Sequence, residues 1–483
     1  MYKWIDKYKK FPIQVKASIW FLICSFLQKG ISNITTPIFT RLMSTAEYGN
    51  YNVFNSWMSI VSIIVALQLY SGVYEQALVK FKEDKDVLSS SLQGLMLTLT
   101  IIWSIIYLLW HSFWNDLFSL TTVQMLAMLL MIWTSGVFRF WSADQRVDYK
   151  YKALVVVTLL VSFMKPIVGV ILVIYAKDKV TARILGLLIV EIIGYVGLFF
   201  VQMKKGRKFY SKKYWKYAIR FNIPLIPHYM SQVVLASFDR VMIKNLVGDN
   251  EAGIYSLAYS ISSIMILFNT ALGQTLSPWI YQKIKEKKVE EIRNISYISI
   301  IIIGVLNLLL ILFAPEIVAI FAPKAYYDAI WVIPPVAISV YFMFLYDLFS
   351  KFEFYFEKTG AIMGASIAAA ILNIILNNIF IRAWGYYAAG YTTLVCYILY
   401  AIFHFVMMGK ISNKYLKIKY VYSPWILLKI SAGFLVITAF MTVVYRFTII
   451  RYFLISVGCL ICIWKKENIK NIIIEIAKKR KGV

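Results

Sequence analysis

Histidine, cysteine and acidic residues are all scarce in this chain of 483 residues, and each scarcity removes a class of function. Only three histidines occur, His111, His228 and His404, and they are scattered along the chain. They form no HExxH pair for a zinc hydrolase. A GxSxG nucleophile elbow and a GxxxxGK[ST] phosphate loop are missing too, which argues against hydrolytic and ATP-driven chemistry. The four cysteines, Cys24, Cys396, Cys459 and Cys462, stand inside apolar runs and read as small core residues rather than zinc ligands or disulfide posts. Cys459 and Cys462 have CxxC spacing without the βαβ surroundings of a redox motif. Asp and Glu number 24 against 51 Lys and Arg, a net charge of +27. Such a balance suits either nucleic acid or an anionic membrane surface, and the positions of the charges decide between them.

What fills the chain instead is hydrocarbon. The sequence is 60% hydrophobic with a mean hydropathy of +0.69, and apolar runs near 20 residues recur from Ala17 onward. A soluble core of this size needs no such runs; a bilayer about 30 Å thick does. Candidate spans fall at 17–39, 51–77, 87–110, 117–138, 153–176, 182–203, 215–243, 252–280, 294–321, 328–350, 359–382, 386–409, 425–445 and 448–464. The chain therefore reads as an all-α polytopic membrane protein of about fourteen transmembrane helices, with no nucleic-acid partner. With both termini cytoplasmic, 37 of the 51 Lys and Arg lie on the cytoplasmic side and 9 on the other, the asymmetry of the positive-inside rule. Five lysines precede the first run, from Met1 to Lys16, but no small-x-small cleavage site follows it, so the first helix is expected to remain.

A repeat divides the chain. A shift of 204 residues lays Leu42, Glu47, Gly49, Tyr51, Ser56, Ser59 and Ile60 on Leu246, Glu251, Gly253, Tyr255, Ser260, Ser263 and Ile264, and Gln28 on Gln232. Six spans separate the copies, so both halves share one orientation, which predicts two six-helix lobes related by a pseudo-two-fold along the membrane normal. The expected domains are an N-terminal lobe at 1–203, a basic cytoplasmic linker at 204–214, a C-terminal lobe at 215–410, and a C-terminal hairpin with a basic tail at 411–483.

Polar residues inside spans face cavities or partners, because lipid offers them nothing. In the first span Ser25, Gln28, Lys29, Ser32 and Thr36 recur every three or four residues as one stripe. Lys29 sits about halfway across, as a cationic cavity wall or as a structural lysine. In the seventh span Arg220, His228, Gln232 and Asp239 fall near one face beside Arg240, and Pro224 and Pro227 predict a bend. Arg220 reads equally as a snorkelling interfacial residue, and His228 as an ordinary hydrogen-bonded histidine. Lys165 and Glu191 lie at matching depths in consecutive spans and read as an ion pair, with ion coupling at Glu191 as the alternative. Asp239 and Asp347 are further ion-coupling candidates, while Asn373 and Asn377 read as helix glue.

Two stretches carry a family resemblance. Lys16 to Trp57, KASIWFLICSFLQKGISNITTPIFTRLMSTAEYGNYNVFNSW, resembles the start of the Wzx-type O-antigen and capsule flippases of the multidrug/oligosaccharidyl-lipid/polysaccharide (MOP) exporter superfamily; Phe238 to Tyr259, FDRVMIKNLVGDNEAGIYSLAY, resembles the head of that family's C-terminal lobe. The resemblance implies a transporter rather than an enzyme, in a bacterial inner membrane. It implies alternating access and an undecaprenyl-diphosphate-linked glycan as cargo, moved from the cytoplasmic to the periplasmic leaflet. Membrane lipid and other polysaccharide-assembly proteins are the implied partners. No cofactor is implied beyond coupling to a proton or sodium gradient. A cationic cavity is typical of the family, and Lys29, Arg220 and Arg240 match it by depth and face. A lipid II flippase or a cation-coupled multidrug exporter of the superfamily is the alternative, and a membrane glycan polymerase or ligase is disfavoured by the short outward loops.

The charge asymmetry makes a topological prediction: reporter fusions after Lys213 and Val483 should behave as cytoplasmic and a fusion after Asp249 as periplasmic. A periplasmic signal at Val483 would refute the fourteen-span arrangement.

Overall fold

The computed structural model describes residues 12–71, 73–453 and 456. The first four lysines, Cys459, Cys462, most of the span expected at 448–464 and the basic tail lie outside the described residues. Seventeen α-helices follow one another among those described: α1 Ile13–Leu42, α2 Thr45–Ala66, α3 Val73–Lys80, α4 Lys85–Leu109, α5 His111–Phe118, α6 Thr122–Val147, α7 Tyr151–Tyr175, α8 Lys179–Gly206, α9 Lys212–Asn222, α10 Ile226–Leu246, α11 Asp249–Lys285, α12 Val289–Leu312, α13 Ala314–Phe321, α14 Ala329–Tyr355, α15 Thr359–Trp384, α16 Tyr387–Leu416 and α17 Pro424–Val444.

Local chemistry sets several of their starts. Ser44 and Glu47 form a capping box at the head of α2, with Ser44 Oγ accepting from Glu47 N at 3.2 Å and Glu47 Oε2 from Ser44 N at 2.7 Å. Thr121 and Gln124 do the same for α6. Asp178 caps α8 through Thr181 N at 3.0 Å. Each cap contributes about 1 kcal/mol by satisfying amides that the helix leaves orphaned.

Ten of the described helices are long and apolar enough to cross a membrane. Helices α1, α2 and α10, with 30, 22 and 21 residues, are long enough too, but polar residues along them lower their hydropathy. The span expected at 215–243 is two helices. α9 is short and amphipathic, a 3-10 turn at Ile223–Leu225 contains Pro224, and α10 restarts with Pro227 in its first turn. The two prolines remove backbone donors there, and the α-helical pattern gives way to one 3-10 turn while the backbone stays right-handed from Asn222 to Ile226. α9 lies against the start of α4: Tyr214 OH donates to Asp84 Oδ2 at 2.9 Å and Trp215 Nε1 to the Ser91 carbonyl at 2.8 Å. Burial, the bond to Asp84 and that carboxylate's charge push the Tyr214 phenol up to about 12.

The chain forms two compact units, Met1–Ser256 and Leu257–Val483, with the boundary inside α11. In the first, α8 packs on α4, α6 and α7, α1 packs on α7, and α10 packs on α2. In the second, α14 is the central helix, buried along most of its length by α12, α16 and α17. Tyr341, Phe344, Leu348 and Phe352 on α14 pack with Ile280 of α11, Ile300 of α12 and Met408 of α16.

The two copies of the sequence repeat meet inside the first unit. Gly49 of α2 and Gly253 of α11 face each other so closely that a Cβ on Gly253 would lie 2.0 Å from the Thr45 carbonyl oxygen, and one on Gly49 would lie 2.3 Å from the Asp249 carbonyl oxygen. Thr45 Oγ1 donates to Asn250 Oδ1 beside them. Small residues let helix backbones touch where lipid supplies no hydrophobic drive for association.

This crossing should be sensitive to a single methyl group. Gly253→Ala is expected to destabilise the purified protein by about 1–3 kcal/mol, because the obstruction is backbone and cannot rotate away. Gly360→Ala, which meets nothing within 4 Å, should leave the melting temperature unchanged or higher. Equal melting temperatures for Gly253→Ala and the parent would rule out the crossing.

Candidate functional site

The first helix carries its polar stripe into the structure. Ser25, Gln28, Lys29 and Ser32 are exposed and Thr36 is buried. The hydroxyls of Ser25 and Thr36 are spent on their own helix, donating to the Phe21 and Ser32 carbonyls at 2.9 and 3.2 Å. Lys29 is different: its ammonium makes no hydrogen bond or ion pair among the described residues. On the opposite side of α1, Ile31, Ile34 and Ile38 line an apolar groove of about 480 Å³ with Phe163, Ile167 and Ile171 of α7.

A second exposed cation stands on α6. Arg139 has its guanidinium 4.6 Å from the Tyr70 ring centroid and enters no ion pair among the described residues. Seven residues further on, and so on nearly the same helix face, Arg146 lies 6.0 Å over the ring of Phe21 on α1. Successive spans run in opposite directions, so levels can be counted from that contact. Lys29 is about 12 Å along α1 from Phe21, and Arg139 about 10 Å along α6 from Arg146, which puts both cations at nearly one level. The sequence reading missed Arg139 because it ended the span at 138, whereas α6 runs on to Val147. The Thr121–Gln124 cap was the available signal: counting 26 residues from it places Arg139 well inside the helix.

The three carboxylates expected inside the spans are occupied. Lys165 Nζ reaches Glu191 Oε1 at 2.7 Å, as their depths predicted, and Thr134 and Ser135 of α6 donate to Glu191 Oε2 at 2.7 and 3.1 Å. Glu191, 3% exposed, is thereby saturated as an acceptor. Asp239 accepts from Tyr255 OH at 2.7 Å, deep in the first unit. Asp347 pairs with Lys351 at 2.8 Å and lines a polar cavity of about 340 Å³ with Asn269, Thr270, Gln274 and Ser277. Arg220 is exposed on amphipathic α9, and so is not on one helix with Arg240, which is half-buried on α10 with His228 and Gln232. Asn377 Nδ2 donates to Asn373 Oδ1 and Asn373 Nδ2 to Thr393 Oγ1, at 3.2 and 3.1 Å, tying α15 to α16.

One buried pair was not foreseen. Glu353 of α14 and His404 of α16 are both fully buried, with Glu353 Oε1 and His404 Nδ1 2.5 Å apart. They are 51 residues apart in sequence, so no local spacing joins them.

The fold and these residues can be set beside known proteins. The family described as polysaccharide biosynthesis protein matches residues 15–283, and the MatE family matches residues 224–379. Lsg locus putative protein 1 of Haemophilus influenzae is 21% identical over 378 residues, covering 74% of this chain and 89% of its own. Among solved structures, an inward-facing multidrug resistance MATE family transporter of the MOP superfamily has a TM-score of 0.63 at 13% identity, covering 82% of this chain and 98% of its own. The lipid II flippase MurJ in an inward closed conformation has a TM-score of 0.61 at 16% identity, covering 93% and 100%. At such identities the structures establish the shared fold.

The Lys165–Glu191 geometry predicts a coupled pair of mutants. Removing one partner of a buried pair costs about 3–5 kcal/mol, and with the Lys165 side chain still 27% exposed the lower end applies. Lys165→Met or Glu191→Gln alone should therefore lower the amount of folded protein in the membrane, while the double variant should restore both amount and transport. Restored amount with abolished transport would assign Glu191 an ion-coupling role instead.

Proposed function

This chain belongs to the polysaccharide biosynthesis protein family, and from that membership we propose that it flips an undecaprenyl-diphosphate-linked oligosaccharide from the cytoplasmic to the periplasmic leaflet by alternating access. It is a multi-pass membrane transporter with the MOP-superfamily fold. The proposal places it in a bacterial inner membrane, supplying repeat units for a surface polysaccharide such as O-antigen or capsule.

The observation that carries this reading is the level shared by Lys29 and Arg139, two exposed cations that no carboxylate neutralises among the described residues. A cation kept unpaired inside a membrane protein is costly, and an anionic ligand arriving from solution offsets that cost. A diphosphate suits the two: arginine offers a planar fork of donors, lysine a point charge. The apolar groove between α1 and α7 suits the other half of such a ligand, a polyprenyl chain. Arg240 and the more distant Arg220 stand as secondary anion ligands, with Ser25, Gln28, Ser32, His228 and Gln232 as polar lining. A cationic drug would meet repulsion at the same place, which disfavours the multidrug reading. Lipid II carries the same polyprenyl diphosphate, so the glycan that accumulates on the cytoplasmic side upon depletion separates it from an oligosaccharide repeat unit.

Each charge-assisted hydrogen bond to the diphosphate contributes about 1.5–3 kcal/mol, or roughly tenfold to a hundredfold in binding. Lys29→Ala and Arg139→Ala should each cut export by that factor at normal protein abundance, and Lys29→Arg should keep part of it. Abundance is the control, since removing a cation that pairs with no carboxylate among the described residues leaves no buried charge uncompensated. Undiminished export in both alanine variants, or their disappearance from the membrane, would overturn the anion site.

A further inference from the structure

Among the described carboxylates of the spans, Glu353 alone faces a side chain that can itself exchange a proton near neutrality. Glu191 is committed to Lys165 and two hydroxyls, Asp239 to Tyr255 and Asp347 to Lys351. Glu353 and His404 have only each other among the described residues. Glu353 Oε2 and His404 Nε2 are both buried without a partner. An unmade hydrogen bond at a buried polar atom costs about 1–3 kcal/mol, so two in one pair point to a function beyond holding α14 to α16.

We propose that Glu353 and His404 form a proton-binding site of the transport cycle, loaded and emptied from the polar cavity beside them. The site differs from the three carboxylates that the sequence suggested for ion coupling. Its chemistry balances simply. The carboxylate with a neutral imidazole carries one negative charge. One proton from cavity water, taken up by the imidazole, converts the pair to a carboxylate with an imidazolium, which is neutral overall. A closed, dry site favours the neutral loaded state; water admitted to it tolerates the charged empty one. Proton release is thereby tied to opening.

The route is one ring thick. Tyr346 lines the cavity with Asp347 and Lys351, and its ring centroid is 5.8 Å from that of His404. Tyr400 packs edge-on against the imidazole at 4.5 Å from α16 itself. Other charges on the packed helices are engaged elsewhere or face outward. Lys351 and Asp347 on α14 bind each other, and Arg293 of α12 donates to the Val421 and Tyr420 carbonyls. Lys358, just before α15, and Lys414 of α16 lie over the Tyr415 ring, while Lys429 of α17 is exposed. Among the described residues no lysine or arginine forms an ion pair with Glu353.

The inference rests on the transporter reading for what the proton serves, but its test needs no glycan. His111→Gln with His228→Gln leaves His404 as the only histidine of the chain. In the full-length protein in liposomes, labelled with nitrogen-15 histidine, the imidazole signal should convert between its protonated and neutral forms between about pH 5 and 8. Adding Glu353→Gln should move that conversion by about one pH unit or more. An imidazole locked in one form across the range would overturn the proposal even if Glu353→Gln does not fold. So would a titration that Glu353→Gln leaves unchanged. Export by the Lys29 and Arg139 variants decides the flippase reading separately.

Discussion

The hydrocarbon core of a bilayer supplies neither donors nor acceptors, so each charge carried into it must find a partner in the protein or water in a cavity. The described residues sort their charges by that constraint. Lys165, Lys351 and Asp239 are matched by residues one helix or one turn away, and the matches of Lys165 and Asp239 join different helices. Lys29 and Arg139 are left without a counter-charge at nearly one level. Matched charges hold the bundle; unmatched ones mark where an anionic ligand completes the electrostatics. The same rule separates Glu353 and His404 from the rest, since their match is one that a proton can alter.

Backbone approach is the other constraint. Without a hydrophobic drive between helices in lipid, close packing depends on residues small enough to let backbones touch. Gly49 and Gly253 are such residues, and they stand at equivalent positions of the sequence repeat. Their crossing lies in the first compact unit, which includes α10 and the head of α11 and ends at Ser256. A repeat that the sequence shows as similarity is, in the structure, also a contact between its own copies.

The second unit is arranged around α14. This helix carries Pro334 and Pro335, yet remains buried on nearly every side, because neighbouring helices cover what the prolines expose. Its lower half changes character within two turns: Asp347 and Lys351 open onto a polar cavity, while Glu353 is sealed against α16. One helix thus presents the Asp347–Lys351 pair to a polar cavity and Glu353 to α16, with Glu353 about 9 Å along the axis from Asp347 and about 3 Å from Lys351.

The sequence by itself determined the class of protein, the positions of ten spans and the polar stripe on α1, because hydrophobic length and helical periodicity are local properties of the chain. It also determined the Lys165–Glu191 pair, since a short hairpin lets depth be counted from one connection. Tertiary structure alone decided the rest. Whether Lys29 or Asp239 has a partner depends on which faces other helices turn toward it. Arg139 gained its place when α6 proved longer than its apolar run. Glu353 and His404 met across 51 residues because α14 and α16 pack side by side, a long-range choice made by the whole core and written in no single stretch of sequence.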